Sequence, residues 1–230
     1  MNAGKICVAV GSDDAESLAQ DVKPVTSLVD VVEVRLDWMK QPDVDRCCRL
    51  LQLPLLFTNR PTWEGGACDD GEGERLKPLL EAVGLQAAYV DFEFRAEQQL
   101  RAELLAATVD SKTRLILSWH DFEDTPSQDE LTDILVQMQA SGADVGKIIT
   151  TAHEPADVLR VLSLQEKAYT MGFPLSTFCM GESGRISRFA TLYLGGYMTY
   201  VALSEKQATA PGQFSAYHFN KLCSLFSHVD

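Results

Sequence analysis

Apolar residues fall in short runs that recur about every 25 to 30 residues, at 6–10, 31–36, 53–57, 88–92, 115–119, 145–149, 174–178 and 197–202. Each run is strand-sized and bounded by polar or turn residues. Between them lie seven longer segments whose apolar positions follow helical spacing, such as Leu131, Ile134, Leu135 and Met138, or Val158, Leu159 and Leu162. An eighth helix is expected over 213–227. No linker or low-complexity stretch interrupts the alternation, so one domain covering 1–230 is expected, a (β/α)8 TIM barrel in the α/β class. The runner-up is an open doubly wound sheet, but the first strand is not followed by G-x-G-x-x-G and no G-x-x-x-x-G-K-[ST] loop occurs.

Composition removes several classes of function. The chain is 46% hydrophobic and 23% charged, with a formal net charge of -13 that opposes nonspecific contact with nucleic acid or an anionic membrane. No apolar run approaches the roughly 20 residues of a membrane span. The run at 6–10 ends in Gly11-Ser12-Asp13-Asp14, without the length or cleavage pattern of a signal peptide, and reads as a first strand. Six cysteines show no C-x-x-C pairing and no disulfide-scaffold density, so thiols in a reducing cytoplasm are expected. The four histidines lack metal-ligand spacing, and no metal is expected.

In such a barrel the carboxyl ends of the strands form the active face, and here they are rich in polar residues. The second run alternates Glu33, Arg35 and Asp37 with apolar neighbours, which suggests either a structural ion pair at the rim or charges aimed into the mouth. The third delivers Thr58 and Arg60 ahead of Glu64-Gly65-Gly66, and the fourth carries Asp91 and Glu93, carboxylates that need partners inside an apolar strand. His120 ends the fifth run. Taken alone it is structural or catalytic.

Lys147 stands in the middle of an apolar strand, Val145-Gly146-Lys147-Ile148-Ile149. It either snorkels to the rim or faces a pocket as a nucleophile. Only the neutral amine attacks a carbonyl, so desolvation and neighbouring cations such as Arg35 or Arg188 are expected to favour that form.

Taken together, these motifs resemble type I 3-dehydroquinate dehydratase along nearly the full chain. The resemblance rests on Glu33-Val34-Arg35-Leu36-Asp37, Thr58-Asn59-Arg60 to Glu64-Gly65-Gly66, Asp91-Phe92-Glu93, Ser118-Trp119-His120-Asp121-Phe122, Ala143 through Ile148, Met180 to Ser187-Arg188, and Ala210-Pro211-Gly212-Gln213. Their shared order and spacing are specific where any one motif is weak. The resemblance implies a (β/α)8 barrel, commonly a homodimer, that converts 3-dehydroquinate to 3-dehydroshikimate without a cofactor. It implies Lys147 as the Schiff-base lysine, His120 as general acid and base, and Glu64 as the carboxylate that orients the histidine. It also implies Arg188 as the clamp on the substrate carboxylate. Glu33, Arg35 and Arg60 would meet the hydroxyl-bearing side of the ring or order the pocket, and Met180 would pack on the substrate. Thr209 and Gln213 would sit in a closing lid, expected over 205–213, where small residues and Pro211-Gly212 supply turn freedom.

Three positions depart from the common family pattern: Ala9 replaces a frequent serine, Phe178 a frequent methionine, and Thr209 a frequent serine. They bear on binding geometry, not on the lysine and histidine chemistry. Another class I Schiff-base lyase or aldolase is the alternative reading, followed by a noncatalytic dehydroquinate-binding protein.

Overall fold

Side chains alternate across each strand, and this separates two sets of apolar residues. In the second strand Val31 joins a cluster with Cys7, Leu56, Ile116, Val145 and Met198 inside the sheet. Val32 and Val34 join the larger cluster between sheet and helices. A sheet buried on both faces must close on itself or be covered on both sides; this one closes. The computed structural model describes residues 4–226.

The order is β1 (Lys5–Val10), α1 (Ala15–Val22), β2 (Val31–Arg35), α2 (Val44–Leu50), β3 (Leu55–Thr58), α3 (Glu72–Gly84), β4 (Tyr89–Glu93) and α4 (Gln98–Thr108). It continues with β5 (Arg114–His120), α5 (Gln128–Ala140), β6 (Val145–Thr151), α6 (Pro155–Thr170), β7 (Leu175–Met180), α7 (Arg185–Tyr193), β8 (Met198–Val201) and α8 (Ala216–Phe226). The strands form one eight-stranded sheet in the order β7-β6-β5-β4-β3-β2-β1-β8, and every paired neighbour is parallel. This is the (β/α)8 barrel, not the doubly wound sheet.

Closure is nearly complete. Among the described residues β7 and β8 form no ladder, but Tyr197 N–H donates to the Leu175 carbonyl at 2.8 Å near their amino-terminal ends. Beyond that point α7 covers the seam, with Thr199 Oγ1 donating to the Arg188 carbonyl at 2.6 Å and Cys179 N–H donating to Ser187 Oγ at 2.7 Å. The amino-terminal end is plugged by Tyr89, Tyr197 and Arg114, whose guanidinium donates to Tyr197 Oη at 2.6 Å. Cavity space is therefore left at the carboxyl end.

Several local expectations shift. Asp37 lies past β2 in a short 3-10 turn, Leu36–Trp38, because the chain must leave the sheet there. In α6 the buried stripe is Val158, Val161, Leu164 and Ala168, while Leu159 is 69% exposed. The helix is rotated relative to the spacing that Leu159 suggested. The expected end of the last helix at Ser227 lies outside the described residues. No described helix is long and apolar enough to cross a membrane.

Candidate active site

The inward positions of the strands change character halfway up the barrel. Below are Val31, Leu56, Ile116 and Val145; above them on the same strands come Glu33, Thr58, Ser118 and Lys147, each two residues later. All ten residues proposed from sequence, Glu33, Arg35, Arg60, Glu64, His120, Lys147, Met180, Arg188, Thr209 and Gln213, line one cavity at that end. Including its open mouth it encloses about 510 Å³. Gly65, Phe122, Ile149, Phe178, Tyr200 and Ala210 complete the wall.

Lys147 does not snorkel. It is 5% exposed, with Nζ 3.2 Å from Asp91 Oδ2 and 3.7 Å from Glu33 Oε1. The Tyr200 ring centroid lies 4.1 Å from the same nitrogen. Arg35 and Arg188 were the cations expected beside this amine; the charged groups in contact with it are carboxylates instead. Glu33 is held in turn by Thr58 Oγ1, which donates to it at 2.8 Å.

His120 ends β5, and its Nδ1 is 2.9 Å from Glu64 Oε1. The imidazole stacks on Phe122, centroids 5.8 Å apart at an interplanar angle of 17°. Burial drives its pKa well below the ordinary histidine value, and the charges of Arg60, Lys147, Arg35 and Arg95 act in the same direction. These surroundings favour a neutral imidazole. Glu64 ends the 3-10 turn Thr62–Glu64 beyond β3 and is 1% exposed. Burial pushes its carboxyl up to about 7 despite the opposing charge of Arg60. Gly65 makes the turn possible: its φ is 75°, and a Cβ there would lie 2.4 Å from Phe122 Cζ.

A buried charge network fixes the floor. Arg60 Nη2 donates to Asp91 Oδ1 at 2.8 Å, while Nη1 donates to Glu93 Oε1 at 2.7 Å and Ser118 Oγ at 2.6 Å. Arg60 therefore orders the pocket through carboxylates that the sequence placed inside strands. Asp37 binds Arg35 through both oxygens, at 2.9 and 2.6 Å, and accepts the N–H groups of Arg60 and Ala67. One carboxylate thus orients a cavity arginine and anchors the loop bearing Glu64.

Arg188 comes from α7 and reaches the cavity where β7 and β8 diverge. It is 1% exposed, and its guanidinium lies over the Phe178 ring at 4.6 Å. Nη2 donates to the Pro211 carbonyl at 2.9 Å, Nε has no hydrogen-bond partner, and no described carboxylate pairs with it. Burial, joined by the charge of Arg185, lowers its pKa to about 10, still charged at neutral pH. A buried arginine without a counter-charge is costly unless an anion joins it. Thr209 and Gln213 meet beside it, Thr209 N–H donating to Gln213 Oε1 at 2.8 Å and Gln213 Nε2 donating to Thr209 Oγ1 at 3.2 Å.

The sequence marks Asp91 as a carboxylate needing partners without giving it a part in the site, and it gives Tyr200 no role there. Both touch or face Lys147. The two-residue periodicity of β4 and β6 was the available signal for Asp91. Among the described residues no group of three or more His, Cys, Asp or Glu has the arrangement of a metal site.

A family model for type I 3-dehydroquinase matches residues 6–230. The 3-dehydroquinate dehydratase of Desulfotalea psychrophila is 45% identical over 215 residues, covering 94% of this chain and 95% of that protein. The enzyme of that name from Methanococcus maripaludis is 31% identical over 220 residues, covering 96% and 99%. Among solved structures, a type I 3-dehydroquinate dehydratase from Clostridium difficile, with covalently modified comenic acid, superposes with a TM-score of 0.88 at 25% identity, covering 98% of this chain and 93% of that one.

Proposed function

Because the chain belongs to the type I 3-dehydroquinase family, we propose that it is a hydro-lyase that removes water from 3-dehydroquinate through a Schiff base on Lys147. The observation that carries the reading is that a buried lysine amine and a largely buried imidazole, whose pKa is held well below the ordinary histidine value, open on the same cavity. Lys147, freed of its proton, attacks the C3 ketone to give a carbinolamine, which loses water to a protonated imine. The imine withdraws electrons and acidifies the C2 proton. His120 removes that proton through Nε2, the nitrogen not engaged by Glu64, and an enamine forms. The enamine expels the C1 hydroxyl, which takes its proton from the imidazolium. Water then hydrolyses the imine, freeing Lys147 and the product.

The remaining residues suit a small polyhydroxylated carboxylate. Arg188 offers a planar donor set for the carboxylate. Glu33 and Arg35 face the hydroxyl-bearing ring, Met180 and Phe178 pack on it, and Thr209 and Gln213 close over it.

The test is covalent. Borohydride reduces an imine to a stable amine, so incubation with 3-dehydroquinate should inactivate the protein irreversibly and place ligand mass on Lys147. Lys147→Ala should trap nothing. An adduct on another lysine, or active protein that never forms one, sinks the mechanism; turnover of aldol substrates in place of dehydroquinate supports the aldolase reading.

A further inference from the structure

Behind the wall of the cavity stands a cation that the proposed chemistry does not use. Arg95 follows β4 by two residues and approaches the Glu64–His120 pair from the outer side. Its Nη2 donates to the His120 carbonyl at 2.7 Å, and its Nε lies 3.4 Å from Glu64 Oε2. One planar guanidinium thus spans both partners, touching the carboxylate oxygen that the imidazole leaves free. Its place is fixed by Trp119, whose ring centroid lies 5.5 Å from Arg95 Cζ. Glu64 has no exposed side-chain surface, while the Arg95 side chain is 45% exposed. The carboxylate is buried, but the charge that reaches it is not.

We propose that Arg95 is a positioning residue for the Glu64–His120 pair: it holds Glu64 as a carboxylate aimed at Nδ1, so that Nδ1 carries the proton and Nε2 is the base. The inference rests on the reading of His120 as the acid and base of the reaction. Its physical content is a balance. The charges around Glu64 are Arg60 from the end of β3, Asp91 and Glu93 from β4, Arg95, and the imidazole on β5. Those around the imidazole include Lys147 from β6 and Arg35 from β2 as well. Arg60 is shared with Asp91 and Glu93, whereas Arg95 makes no other ion pair among the described residues. If Glu64 takes up a proton it donates to Nδ1, the imidazole proton moves to Nε2, and the base is lost. Arg95 opposes that change. Because it is half exposed, its effect is screened and therefore modest and salt-dependent.

The experiment is a pH profile of kcat for wild type, Arg95→Met and Arg95→Lys, with KM measured at each pH. In Arg95→Met the acidic limb should move to higher pH, so that activity falls about threefold to tenfold at the acidic end and the loss shrinks as pH rises. KM should change little, and Arg95→Lys should recover part of the shift. Added salt should move the wild-type limb toward that of Arg95→Met and leave the variant's own limb in place. A loss of equal size at every pH, or a superimposable profile, overturns the proposal. Borohydride trapping on wild type keeps the two readings apart: no adduct on Lys147 defeats the Schiff-base reading, whereas an adduct with an unmoved Arg95→Met limb defeats only this one.

Discussion

Lys147 Nζ and Asp91 Oδ2 lie 3.2 Å apart on neighbouring inward rows of the barrel, and Asp91 Oδ1 receives Arg60 Nη2 at 2.8 Å. One carboxylate therefore joins the amine to the floor of the site. Burial alone would raise the Asp91 pKa, but Arg60, Lys147 and Ser118 more than reverse it and hold the carboxyl below its ordinary range.

Asp91→Asn should leave Lys147 and Arg60 underneutralised in a buried site and cost about 3 kcal/mol or more at neutral pH. The sign with pH follows from the depressed pKa. The Asp91 contribution is full above the unfolded value near 3.9 and is lost as pH falls through the folded value. Denaturant titration of both proteins at neutral and acidic pH should show the difference shrinking in acid; a constant difference would remove the charge argument.

Glu64 has the opposite linkage. Burial raises its carboxyl from 4.5 to about 7, so between those values the folded state binds more protons than the unfolded one and stability falls as pH rises. Glu64→Gln escapes that penalty. Relative to wild type it should gain stability through this window, up to about 3 kcal/mol, while turnover drops by roughly tenfold or more. Paired unfolding curves and kinetic profiles check both halves.

Gly65 combines a φ of 75° with a Cβ direction that ends 2.4 Å from Phe122. Gly65→Ala should cost about 1 to 3 kcal/mol in backbone strain and displace the ring stacked on His120. The expected kinetic result is a fall in kcat larger than any change in KM. A variant with native turnover would show that Phe122 and its stacking on the imidazole are dispensable.

Arg188→Ala should raise KM about 10-fold to 100-fold, the worth of one buried charged hydrogen-bond pair. Since Arg188 also binds the Pro211 carbonyl, the segment 205–213 should be linked to the same site. Hydrogen exchange there should slow when product saturates the wild type, and less so in Arg188→Ala. Unchanged exchange in wild type would remove the lid.

The barrel was legible because its strands are buried on both faces and its helices on one, so eight short apolar runs alternated with eight amphipathic ones. Lys147 and His120 stood out for the same reason, as polar residues in apolar strands. What could not be read was which charge meets which. The spacing of β2 put Glu33 and Arg35 on one face, yet Glu33 bonds Thr58 and nears Lys147, while Arg35 turns to Asp37. Those choices depend on strand register and on where the chain leaves the sheet. Leu159 misled because α6 is 16 residues long and carries apolar residues on more than one side. Arg95 left no pattern at all, since a half-exposed arginine beyond a strand end resembles any surface arginine.

The strands deliver the amine, the imidazole and the floor of carboxylates, but Arg188 arrives from a helix, through the gap that β7 and β8 leave unpaired. Under the proposed function, attraction for an anion and the breaking of bonds would be mounted on different supports. A substitution in the packing of α7, at Phe189 or Leu192 for instance, can reposition the guanidinium without disturbing the row that holds Lys147. The gap in the barrel wall would then make affinity adjustable from outside, a tuning screw set apart from the proposed reacting groups.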